Sequence, residues 1–234
     1  MSETHPHEPA ADGWQYSPTV RTWTRMPEPN ALPSWRSVLD ALELPPGRLR
    51  EFLAIHESAH AVVAAAHPFY ASEGEPVMRL RWVGLAPSAV PRNGQVLNAG
   101  LCSVSYESGT NWWDVAAHSV AGERATVRWL REEGLWTPLR GWIAEASSAG
   151  DRRNIDALDG RFRIAWNSIL REVYAEHGIC PVRFDDLLDR ADDLLDWLWP
   201  AVGRTAGLLQ RHGRLTGPQV RALLEPHLDA DPDN

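Results

Sequence analysis

The sequence predicts an α+β fold that is predominantly helical. From Pro46 onward, apolar residues recur near the 3.6-residue period of a helix through most of the chain. Residues 76–108 break that rhythm, alternating in side and carrying β-branched and aromatic residues. Prolines stand at the starts of the periodic runs and glycines at their ends, the usual punctuation of helices. Together these predict one helix bearing a short histidine motif, a small two- or three-stranded β element after it, and a C-terminal helical bundle.

Residues 1–45 are rich in proline and polar residues and read as an irregular extension, packed on the rest through Trp23 and Trp35. Only "SWRSVLDALEL" looks helical there, and His5 and His7 read as part of a solvated tail. The main domain is expected over residues 46–228, with a disordered tail at 229–234. Its first helix is "PGRLREFLAIHESAHAVVAAAHP", opened by Pro46 and closed by Pro68. In "PVMRLRWVGL", Val77, Arg79, Arg81 and Val83 alternate with Met78, Leu80 and Trp82, as in a strand. A Pro/Gly/Asn loop, "APSAVPRNGQ", leads to a second strand in "NAGLCSVSYES". Three long helical patterns follow. The first ends at Gly134. The second runs from Asp151 to Gly178 and is broken or tolerated at Gly160. The third starts near Arg183 and has Pro200 as a kink or break. A last helix has Thr216 as N-cap and Pro218 in its first turn.

Composition excludes several classes. Net charge is -8 and pI about 5.6, with no Lys/Arg block, which argues against nucleic-acid binding. No apolar run approaches the roughly 18 residues of a membrane span, and no basic-then-apolar leader opens the chain. Cys102 and Cys180, far apart and alone, suit a reducing cytoplasm rather than a disulfide framework. The 12 tryptophans read as bulky core filler, not as a binding surface. The expectation is a cytoplasmic protein.

The stretch "HESAH" carries the chemistry. His56 and His60 are four apart, so on a helix they project from one face, one turn from each other. Two such imidazoles can bind one tetrahedral Zn²⁺, while Glu57 can accept a proton from a water that the metal activates. The pattern H-E-x-x-H thus names a mechanism of peptide-bond hydrolysis. A catalytic zinc needs a third protein ligand. The metzincin pattern would require glycine and histidine where Val63 and Ala66 stand, and His67 comes one residue late. Glu123 or Glu145 on a later helix, or an aspartate opening the helix in "EASSAGDRRNIDAL", remain as candidates on spacing.

Between about Arg48 and Leu224 the sequence resembles the zinc peptidase domain of the FtsH-type AAA+ proteases. "HESAHAVVA" resembles that family's H-E-A-G-H-A-[LIV]-[LIV]-A, and "PVMRLRWVG" with "GLCSVS" its following strands. "DVAAHSVAGERATVRWL" resembles its G-G-R-A-A-E-E-L helix, and "EASSAGDRRNIDAL" its T-G-A-S-N-D segment. The resemblance implies His56 and His60 as zinc ligands, Glu57 as general base and Asp151 as third ligand, with Asp156 as fallback. The family's two glutamates fall at about Thr126 and Val127 here, which leaves a contact behind the ligands in doubt. No G-x-x-x-x-G-K-[ST] phosphate loop is present, so the resemblance is to the peptidase part alone.

The reading is therefore a zinc-dependent metallopeptidase, an endopeptidase working without its own ATPase on unfolded or flexible polypeptide or on a site in a separate protein partner. The strand around Gly100–Ser105 would lie near the cleft and pair with substrate by main-chain hydrogen bonds. His118 is the weakest of candidates to help an oxyanion. The alternative is a non-catalytic zinc-binding interaction module that has kept the fold.

Overall fold

The computed structural model describes residues 14–29, 39–45, 47–85, 100–156, 162–165 and 168–228. His5 and His7, residues 34–38 of the expected "SWRSVLDALEL" helix with Trp35, the 86–99 loop, Gly160 and the 229–234 tail lie outside the described residues, and the rest of that expected helix holds only a 3₁₀ turn at Leu39–Leu42.

Seven α-helices, one short 3₁₀ helix and three small sheets make up the described chain. The first helix, α1 (Arg48–Tyr70), is its central rod. Its residues from Ser58 to His67 are all buried, five of them alanine, and the small side chains let other elements close in from every side. Helices α2 (Trp112–Glu132), α6 (Phe184–His212) and α7 (Gly217–Leu228) pack against it, as does strand β3 (Met78–Leu85). Pro68 does not close α1. The helix runs two residues past it and ends at Ala71, whose N–H bonds the His67 carbonyl. Likewise α6 continues through Pro200. Leu194, Leu195, Leu198, Ala201 and Val202 are buried around it, and that burial offsets the one hydrogen bond that proline removes.

Strand β4 (Gly100–Tyr106) pairs antiparallel with β3, and β7 (Arg214–Thr216) pairs with β3 on its other side, giving the order β4-β3-β7. The β3–β4 register shifts between Leu80 and Trp82, leaving Arg81 without a β4 partner. Such a bulge reverses the alternation. Val83 therefore joins Met78 in the core, not the exposed Arg79 and Arg81 with which simple alternation grouped it. At the start of α7 the Thr216 N–H and hydroxyl both donate to Gln219 Oε1, at 2.8 and 3.0 Å, so the glutamine side chain reaches back over the first turn.

Two further expectations fail. The N-terminal extension is not wholly irregular, since β1 (Gln15–Ser17) and β2 (Thr22–Thr24) form an antiparallel hairpin. The run from Asp151 to Gly178 is not one helix. It divides into α4 (Ala149–Asp156), strand β5 (Phe162–Ala165) and α5 (Ser168–Glu176), and β5 pairs in parallel with β6 (Cys180–Arg183). Both pieces belong to a second apolar cluster. It joins Trp14, Trp23, Ile155, Ile164, Val182 and Phe184 to Ala116 and Val120 of α2. The opposite face of α2, through Ala117, Ala121 and Ala125, enters the main core around α1. Helix α3 (Pro138–Ser147), capped by the Thr137 hydroxyl, leads into α4. No described helix is long and apolar enough to cross a membrane.

Candidate metal centre

Histidines 56 and 60 leave α1 on the face that meets α2, and the contact between the two helices fixes their orientation. His60 Nδ1 donates to the His118 carbonyl oxygen at 2.7 Å. A carbonyl only accepts, so the proton of a neutral His60 is on Nδ1 and the Nε2 lone pair is free. That Nε2 lies 3.2 Å from His56 Nε2. Asp151, in the first turn of α4, brings its Oδ2 to 3.4 Å from His56 Nε2 and 3.7 Å from His60 Nε2. Among the described residues, these three are the group of histidine and carboxylate side chains whose ligand atoms converge.

Three acceptors at such separations repel one another unless a proton or a cation stands among them. The ligand atoms of a tetrahedral zinc, with bonds of about 2.0–2.1 Å, lie about 3.3 Å apart. The observed triangle has that size, and two imidazoles with one carboxylate are a donor set that suits Zn²⁺. Gly122 of α2 stands directly against the two imidazoles. A Cβ there would stand 2.4 Å from His60 Nε2 and 2.8 Å from His56 Nε2. The group is buried on the His60 side, where the side chain is 6% exposed, and opens toward Asp151, at 29%.

Its electrostatics are those of a strongly coupled cluster. Burial opposes charge on His60, but Asp151, Glu57 and the His118 carbonyl outweigh it and lift His60 to about 9. Burial alone would raise the Asp151 carboxyl, yet the two imidazoles hold it well below the usual carboxylate range. Glu57 is pushed up by burial, against the pull of His56 and His60. Its side chain packs on β4, where a Cβ on Gly100 would lie 2.3 Å from Glu57 Cγ and 2.6 Å from Oε1.

The other candidates go elsewhere. Glu123 is 2% exposed and is taken by Arg152, with contacts of 2.6–2.9 Å. Glu145 Oε2 accepts the N–H groups of Arg25 and Met26 at 2.7 and 3.2 Å. Asp156 ends α4, and its side chain lies outside the described residues. His67 faces Asp114 at 3.5 Å and accepts the Met78 N–H, two turns along α1 from His60. His118 is buried beside His60, with ring centroids 5.3 Å apart. Burial and that neighbour push it down to about 3, so it is neutral. Thr126 spends its hydroxyl on the carbonyls of Gly122 and Glu123.

No family model matches the chain, and no curated protein does.

Sequence reasoning placed the strand at Gly100 near the cleft but missed what that glycine leaves room for, and it missed Gly122 and Arg152 altogether. Gly100 and Gly122 could be found only by knowing which elements meet the histidine helix. The signal for Arg152, an arginine directly after the candidate aspartate, is ordinary at a helix surface.

Proposed function

We propose that this chain is a zinc-dependent metallopeptidase, with His56, His60 and Asp151 holding the ion and Glu57 as general base. The observation that carries the reading is the convergence of His56 Nε2, His60 Nε2 and Asp151 Oδ2 within 3.7 Å, with Glu57 next in sequence to His56. A bound zinc would polarise the scissile carbonyl and acidify a water. Glu57 takes a proton from the attacking water on its carboxylate and gives it to the leaving amine as the C–N bond breaks. Its partial burial, which favours the protonated form, helps it act in both directions. The His118 carbonyl keeps His60 in the tautomer whose Nε2 can coordinate.

Among the described residues β4 is paired on one side only, and it begins at Gly100 beside Glu57. An extended peptide adding to that edge would run past the general base. The chain carries no phosphate loop, so the substrates are unfolded or flexible segments, and ATP leaves turnover unchanged.

The test is cleavage of casein by the zinc-loaded chain beside Glu57→Gln. The wild type should cut, and the variant should lose about 10²–10⁴-fold in rate while still binding one zinc. A variant as active as wild type would end the peptidase reading. One observation favours a second reading: the positions of the family's paired glutamates hold Thr126 and Val127, which bring no carboxylate to the histidines. If both proteins bind zinc and neither cuts, the chain is a zinc-binding interaction module.

A further inference from the structure

A buried ion pair stands directly behind the candidate metal centre. Gly122, the residue against the two imidazoles, is followed by Glu123, and Asp151 is followed by Arg152. The two charged residues find each other. Arg152 Nε donates to Glu123 Oε2 at 2.9 Å, and its NH2 group reaches both carboxylate oxygens at 2.6 and 2.7 Å. Each is only 2% exposed.

The remaining surfaces of the guanidinium are also occupied. NH1 donates to the Trp23 carbonyl of β2, and the rings of Trp14 and Phe184 cover the group at 5.5 and 4.9 Å. Nearby, the chain leaving the hairpin is pinned to α3 by the bonds from Arg25 and Met26 to Glu145. Helix α4 packs on α2 and α3. The position of Asp151 relative to the α1 histidines is therefore relayed through α2. The forked bond between Arg152 and Glu123 is the directed polar link in that relay.

From this we infer that Arg152 is a positioning residue: paired with Glu123 and closed over by the N-terminal hairpin, it holds Asp151 in register with His56 and His60. The inference rests on the metal reading of those three side chains. It assigns a role to a residue that touches neither ligand nor substrate, and it makes the hairpin part of the site's support.

The experiment is Co²⁺ binding to the full-length chain, followed by visible absorption, which reports tetrahedral coordination apart from any activity. The key variant replaces both partners with apolar residues of similar length, Arg152→Met with Glu123→Leu. That removes the lock without leaving one charge buried alone. Removal of the surface pair Arg128–Asp196, whose contact is 2.7 Å, serves as control. Expected is a far-UV spectrum and cooperative melt like wild type, with Co²⁺ affinity reduced about ten- to a hundredfold and a changed visible band. The control should match wild type. Arg152→Lys, which keeps the charge but not the fork, should lie between, and it decides the matter if the double variant does not fold. Wild-type affinity and spectrum in the folded double variant, or in Arg152→Lys if that is the one to decide, would overturn the positioning role while leaving the metal reading intact. A wild-type chain that binds no Co²⁺ would overturn both.

Discussion

A glycine inside a helix usually costs about 1 kcal/mol relative to alanine, so Gly122→Ala would ordinarily stabilise α2. Here the added methyl would stand 2.4 Å from His60 Nε2, against the face where the proposed ligands converge. We expect the substitution to lower thermal stability, because overpacking costs about 1–3 kcal/mol. It should also abolish detectable zinc binding in a competitive chelator titration. Unchanged binding would mean that the imidazoles can turn aside and that Gly122 is not required. The same residue shows what the sequence could reveal. The pair His56 and His60 was legible because helical periodicity alone puts them on one face. Gly122 was not, because its meaning depends on which helix crosses at that turn.

At the scale of elements, the buried Arg152 and Glu123 bind α4 to α2. Arg152→Met alone leaves Glu123 charged and buried without its partner, and should cost about 3–5 kcal/mol in denaturant unfolding. The double replacement should recover most of that loss. A single variant as stable as wild type would show that the pair carries no stability. Glu145, on α3, gives a pH signature. Burial and the neighbouring Glu123 push it up to about 7 from an ordinary 4.5. Between those values the folded chain holds a proton that the unfolded chain has released. The stabilising contribution is thus full below 4.5 and is lost as pH rises through about 7. Glu145→Gln keeps an acceptor for the Arg25 and Met26 amides. It should lose less stability than wild type between about pH 5 and about pH 8. Parallel losses would remove Glu145 as the source. The elements that escaped the sequence are those whose support is not local. Strands β1 and β2 have three residues each, and their turn lacks the Asn-Gly signal and puts Arg21 at φ 53. Burial of Trp14 and Trp23 and the bond from Arg152 hold them. Strand β5 is four residues long, and its partner β6 comes only after α5. A run that short after a helical pattern gives no period of its own.

For the whole molecule, a cation bound only by the folded state shifts the unfolding equilibrium. Zinc at a hundredfold excess over its Kd adds about 2.7 kcal/mol. In a chain of this size that raises Tm by about 5–10 °C. His56→Ala should show no such rise, and a rise that survives the substitution would place the ion elsewhere. The fold gives such coupling a direct route, because the histidines belong to α1, which is packed by α2, α6, α7 and β3.

That burial has a consequence for how the protein breathes. Amides between Ala59 and Ala66 have no route to solvent short of losing α2 and α6 together, so they should exchange with deuterium only at the rate of global unfolding. Strand β4, paired on one side among the described residues, should exchange orders of magnitude sooner. The candidate centre would then join the slowest-opening segment of the chain to one of its quicker ones, with a fixed wall of histidines facing a wall that yields.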